Sequence, residues 1–226
     1  MQTYFDSELA KLRKRIIKML NIVSGQLDKS FHILLSSDPD TLEIIKHDEN
    51  KVDKLDIKID KLCQQIFALG QPVASDLRFI MASLKISNDI ERIGDIAYDI
   101  TTRAETFSNF SKVLKQYKIP EFMKQTQKLF NQVIESYTNS NSELALEIIS
   151  ECRKREEDCK AIFDGIVSEM TKKSDIIVIA TDFILITRDF ERIIRHIENI
   201  AESIIFIVDS RIIKHPGLKS KKSDSN

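Results

Sequence analysis

The stretch that decides the fold is Leu84-Lys85-Ile86-Ser87-Asn88-Asp89-Ile90-Glu91-Arg92-Ile93-Gly94-Asp95-Ile96-Ala97-Tyr98-Asp99-Ile100. Its apolar residues Ile86, Ile90, Ile93, Ala97 and Ile100 are spaced by fours and threes, which lines them up along one side of an α-helix. Part of the stretch is written twice. Asp89-Ile90-Glu91-Arg92-Ile93 returns 100 residues later as Asp189-Phe190-Glu191-Arg192-Ile193. Leu42-Glu43-Ile44-Ile45 returns 104 residues later as Leu146-Glu147-Ile148-Ile149. One helical unit therefore occurs in two copies, and tandem copies of this kind cover each other's apolar faces.

Working outward, Val52, Leu55, Ile59, Leu62 and Ile66 form a second seam of the same spacing. Punctuation between seams is sparse: Asp38-Pro39 reads as an N-cap with proline at the first helical position, and Gly70-Gln71-Pro72 as a stop and a restart. Pro120 opens another segment, while Asn139 to Ser142 and Thr171 to Ser174 read as polar turns. Six long helices are expected, near 4–36, 39–69, 72–109, 120–138, 142–171 and 174–212. The isoleucine-rich run Asp175–Thr187 has strand propensity, but its pattern continues helically through Phe190, Ile193, Ile197, Ile200 and Ile204, and that length decides for helix. The fold class is all-α: two tandem three-helix bundles related by duplication, at 1–110 and 111–213, with a polar tail at 214–226.

Composition agrees. The 226 residues include only 5 glycines and 4 prolines, too few for the turns of a sandwich or barrel. Lysine plus arginine (34) balance aspartate plus glutamate (35), which argues against whole-surface binding to nucleic acid. Cys63, Cys152 and Cys159 lack metal-ligand spacing and are expected as reduced, buried thiols. The charged N-terminus does not resemble a signal peptide, and the most apolar run, Ile176 to Ile186, is short and contains Asp182, so a cytoplasmic location is expected. There is no glycine-rich phosphate loop, no nucleophile elbow and no Glu-x-x-His pair. His196 is expected to pack rather than to ligate.

Two helices of the first copy carry acidic stripes. Glu49, Asp53, Asp56 and Asp60 follow spacings of four, three and four; Glu91, Asp95 and Asp99 are successive i,i+4 neighbours. Like charges at such spacing cost a few tenths of a kcal/mol on a solvated helix, but about 4 kcal/mol per pair at ~4 Å and an effective dielectric near 20. Carboxylate oxygens suit hard cations, and facing helices of a bundle can hold them. The same spacing also fits a solvated face paired with Lys54, Lys58, Lys61 and Arg92. An adaptor, a carboxylate-bridged metalloenzyme and a metal-free helical scaffold are all compatible with these residues.

The run Gln71-Pro72-Val73-Ala74-Ser75-Asp76-Leu77-Arg78, the block from Leu84 to Asp95 and, in the second copy, Asn199-Ile200-Ala201-Glu202 resemble the PhoU family of phosphate-transport accessory proteins. The resemblance covers nearly the whole chain apart from its tail. It implies a non-enzymatic cytoplasmic regulator of phosphate uptake and negative regulator of the phosphate-starvation response, dimeric or larger. Its expected partners are the ATPase of the phosphate ABC transporter and a phosphate-responsive sensor histidine kinase. It also implies a metal ion (magnesium, manganese, iron or zinc) held by paired Glu/Asp-x-x-x-Asp motifs. On this chain the first set is Glu49 with Asp53 and Glu91 with Asp95, with Asp56, Asp60 and Asp99 as further acids. The second set departs from the pattern: Arg195 stands where aspartate is expected, and the counterparts of Glu49 and Asp53 are Arg153 and Glu157. Glu157, Asp164 and Glu191 remain there, and Arg195 is expected either to supply the missing positive charge or to point to solvent.

Overall fold

The computed structural model describes residues 2–36, 40–70, 72–105 and 116–213. Among them are six long α-helices and no strand: α1 (Gln2–Ser36), α2 (Asp40–Gly70), α3 (Ala74–Glu105), α4 (Ile119–Asn139), α5 (Ser142–Met170) and α6 (Ile177–Asp209), the last preceded by a 3-10 turn at Ser174–Ile176. Segment boundaries fall within a few residues of those expected, and Asp175–Thr187 is 3-10 turn and helix, as its pattern required. The Asp38-Pro39 start and the polar tail lie outside the described residues.

The α4–α5 connection shows how few residues a turn needs. Ser140 adopts a left-handed conformation (φ 52°), and the Asn141 amide reaches back 2.9 Å to the Ser136 carbonyl. The Asn141 side chain then caps α5 by accepting from the Leu144 amide at 3.0 Å. At the start of α4, Lys118 is also left-handed (φ 54°), with Pro120 in the first turn.

Helices α1, α2 and α3 pack as one lobe, and α4, α5 and α6 as the other. The lobes join through α1 and α3 on one side and α4 and α6 on the other, leaving α2 and α5 outermost. Helices α3 and α6 cross antiparallel, since Asp89 meets His196 and Asn199 while Asp189 meets Arg103. Two apolar cores fuse at this join. Phe190 of α6 is fully buried, with its ring edge-on to Phe31 of α1 (centroids 5.6 Å apart) and tilted against Phe122 of α4 at 5.4 Å. The three thiols are free and buried, and His196 packs with Nδ1 2.8 Å from Asp89. No helix among the described residues is long and apolar enough to cross a membrane.

Because Phe190 closes the core between three helices of two lobes, Phe190→Ala should cost about 3–5 kcal/mol of unfolding free energy. Urea denaturation followed by far-UV circular dichroism measures this; a loss under 1 kcal/mol would mean the lobes do not share that core.

Candidate metal centre on the first lobe

Helix α3 touches α1, α2 and α6, so most of its circumference is buried. Glu91 and Asp95 fall on the strip of α3 beside α2, and Glu49, Asp53 and Asp56 come from the facing edge of α2. Glu49 is the most enclosed of them. The Gln26 amide of α1 donates to its Oε2 at 2.7 Å, while its Oε1 is buried without a hydrogen-bond partner. Gly94 makes the room: a Cβ there would stand 3.2 Å from Gln26 Oε1 and 3.3 Å from Glu49 Oε2.

The electrostatics follow from this crowding. Burial raises the Glu49 carboxyl to about 7; the Gln26 hydrogen bond opposes the shift, while the neighbouring Asp95 and Asp53 add to it. Asp53 is raised by burial and then by Asp95 and Asp56. Glu91 is raised by burial, then by Asp95, with Arg92 opposing and Asp56 and Asp53 adding. Two local contacts relieve part of the repulsion. Arg92 lies 3.0 Å from Asp95 and 3.4 Å from Glu91, and the Ser87 hydroxyl donates to Asp56 at 2.6 Å.

Thus five of the acids picked out on this lobe are brought together and two are not. Asp60 lies on the same face of α2, but eleven residues from Glu49 is about 16 Å along the axis. The acid acting on it is Asp56, after burial. Asp99 corrects the expectation that it joins the first site. Eight residues beyond Glu91 the helix has turned a further 80°, and Asp99 acts instead on Asp189 across the lobe join. Its counterpart, Asn199, occupies the matching place and donates to Asp89 at 3.1 Å.

In the second lobe the Arg195 side chain is 60% exposed and ion-paired. It lies 2.9 Å from Glu191 and 3.7 Å from Glu156, and Arg188 lies 2.7 Å from Glu191. The participating acid of α5 is therefore Glu156, while Glu157 is exposed one position, or 100°, around the helix. Asp164 is exposed at the edge of a cavity of about 340 Å³ that Glu156, Cys159 and Glu191 also line. Arg153 pairs with Glu198 at 3.5 Å.

Gln26 is the residue of this cluster that the acidic motifs do not reveal. Its signal is a polar side chain on the apolar face of α1, between Val23 and Leu27, where it is fully buried. As a donor set, the first lobe fits a hard cation in kind: its candidate ligands are carboxylates, and two buried oxygens, Glu49 Oε1 and Gln26 Oε1, lack hydrogen-bond partners. Among the described residues, however, no three His, Cys, Asp or Glu side chains are arranged to hold an ion as they stand. Arg92 holds two of the acids, so closing a coordination shell requires its displacement.

Two copies of a three-helix unit, fused through their inner helices and carrying paired carboxylates on one seam, define a class of all-α tandem-repeat proteins. The PhoU domain profile matches residues 16–104 and 119–204, and the chain belongs to the PhoU family. A curated relative, the phosphate-specific transport system accessory protein PhoU homolog of Pseudomonas aeruginosa, is 27% identical over 221 residues, covering 97% of this chain and 91% of the relative. The Aquifex aeolicus homolog is 32% identical over 143 residues, 63% of this chain and 64% of that one. The crystal structure of PhoU from Pseudomonas aeruginosa superposes with a TM-score of 0.85 at 26% identity, covering 92% of this chain and 100% of that one. The Streptococcus pneumoniae phosphate transport system regulatory protein PhoU, at 21% identity and a TM-score of 0.84, shares the fold.

The raised Glu49 carboxyl gives a pH signature in metal-free protein. Below its ordinary value of 4.5 it is protonated whether the chain is folded or not; between there and about 7 only the unfolded chain releases the proton. Stability contributed by this group is therefore lost as pH rises from about 4.5 to 7. Urea titrations in chelator should show this loss in wild type and its removal in Glu49→Gln; parallel pH profiles for the two proteins would contradict the assignment.

Proposed function

We propose that this chain is a regulator of phosphate uptake and a negative regulator of the phosphate-starvation response, acting as a non-enzymatic adaptor in the cytoplasm. The observation that carries the reading is the match along 97% of the chain to a relative named as a phosphate-specific transport accessory protein. The proposed partners are the ATPase of the phosphate ABC transporter and a sensor histidine kinase, with the adaptor working as a homodimer. The working parts are helical surfaces. Glu49, Asp53, Glu91 and Asp95, with Asp56 beside them, hold a di- or trivalent cation such as magnesium, manganese, iron or zinc. An ion there would neutralise carboxylates that burial and mutual repulsion already push toward protonation. It serves the shape and charge of the surface and needs no bound substrate.

Deleting the gene should raise phosphate-scavenging genes at high phosphate, and tagged protein should recover the transporter ATPase or the kinase. Normal repression in the deletion strain, with neither partner recovered, would remove the adaptor role. For the cation, adding metal at 100 times its Kd to stripped protein should stabilise the fold by about 2.7 kcal/mol. Calorimetric melting reads the shift, and a Tm unmoved by either chelator or metal would leave a metal-free scaffold.

A further inference from the structure

We infer that the second lobe carries its own counter-charge: Arg153 and Arg195 stand where the first lobe has Glu49 and Asp95, and this lobe takes no metal ion. The inference rests on the reading of the first lobe as a cation site, and it can be tested apart from it. At the four motif positions the first lobe has Glu49, Asp53, Glu91 and Asp95, all acidic; the second has Arg153, Glu157, Glu191 and Arg195, in which two charges cancel two.

The pairing is local, but it draws in Glu156 and Glu198 from outside the motif, while Glu157 is exposed. Arg195 bridges the two helices of the seam, reaching Glu191 on its own helix at 2.9 Å and Glu156 on α5 at 3.7 Å. Arg153 makes the reverse connection, from α5 to Glu198 of α6 at 3.5 Å. The seam between α5 and α6 is thus crossed twice by arginine–carboxylate pairs. In the first lobe the Arg92 pairs stay within α3, and Glu49 on α2 accepts from the neutral Gln26 amide. The second lobe also lacks the amide that orients Glu49: at a shift of 103, which aligns Ile16, Leu20 and Leu27 with Ile119, Met123 and Phe130, the position of Gln26 is taken by Leu129. An ion entering this seam would meet two arginines already paired with Glu156, Glu191 and Glu198. Glu49 and Asp95 have thus been exchanged, across the repeat, for a tethered guanidinium on each helix.

The test uses the full chain stripped of metal and titrated with manganese(II), with bound ion counted by electron paramagnetic resonance. Wild-type binding should be lost in Glu49→Gln/Asp95→Asn, and adding Arg153→Glu/Arg195→Asp to that background should create binding in the second lobe. Both arginines are about half exposed or more (side chains 45% and 60%), so these variants should fold, which far-UV circular dichroism checks. The milder Arg195→Gln should gain a manganese-dependent rise in Tm in the same background. Manganese retained by Glu49→Gln/Asp95→Asn and released on adding Glu191→Gln would overturn the inference. A wild type that binds no manganese at all refutes the first-lobe site instead. The second-lobe inference then stands if the double arginine reversal gains binding and falls if that folded variant gains none.

Discussion

The structure depends on one constraint: α3 and α6 each have to serve three packing surfaces at once. Each completes the core of its own lobe with two helices, and each crosses the other to join the lobes. On α3 this buries Ile86, Ile90, Ile93, Ile96, Ala97 and Ile100 completely, so the isoleucine count of the helix follows from its position. What is left for polar chemistry is a narrow strip beside the outer helix. Glu91 and Asp95 are confined to that strip, which is why their carboxylates share space with those of α2 instead of dispersing into water.

The same constraint explains the buried aspartates at the join. Asp89 and Asp189 are 8% and 4% exposed, each pointing into the opposite lobe, and an uncompensated carboxylate there would cost several kcal/mol. Asp89 is answered by His196 and the Asn199 amide, and Asp189 by Arg103 and Arg192. The two halves of the join solve one problem with different partners. Where the second lobe offers Asn199, the first offers Asp99; burial raises the Asp189 carboxyl, Arg103 and Arg192 oppose that, and Asp99 adds to it.

How far the sequence could be read follows from what periodicity encodes. Spacing along one helix is local, so the seams, the helical reading of Asp175–Thr187 and the shared face of Glu49, Asp53 and Asp56 were all legible. Rotation about the axis relative to a neighbour is not local. Asp99 continues the i,i+4 series from Glu91 and Asp95, yet the drift of 40° at each step carries it out of the seam and onto the join. The repeat alignment places Glu157 in the second seam, yet Glu157 is exposed and the α5 acid that Arg195 reaches is Glu156. Gln26 lies on α1, with no acidic neighbour in sequence, and only packing brings its amide to Glu49. Its trace was a polar residue in a buried register, which marks an unmet hydrogen-bonding need without saying on which helix the partner lies.

The two lobes share a backbone plan but answer crowded carboxylates by different physics. A guanidinium is tethered: it cannot dissociate, it holds its charge at every accessible pH, and its pairs at this exposure contribute little to stability beyond neutralising the seam. Protons and ions are exchangeable, and their occupancy follows their activity in solution. In the first lobe the Arg92 pairs lie within α3, and the most enclosed carboxyl, Glu49, is pushed up to about 7. The charge of Glu49 therefore follows the pH near neutrality, while the guanidinium charges of the second lobe do not. Fused through α3 and α6, the two seams belong to one packed body, so the pH-dependent carboxyl of Glu49 and the permanent charges of Arg153 and Arg195 sit on the same molecule.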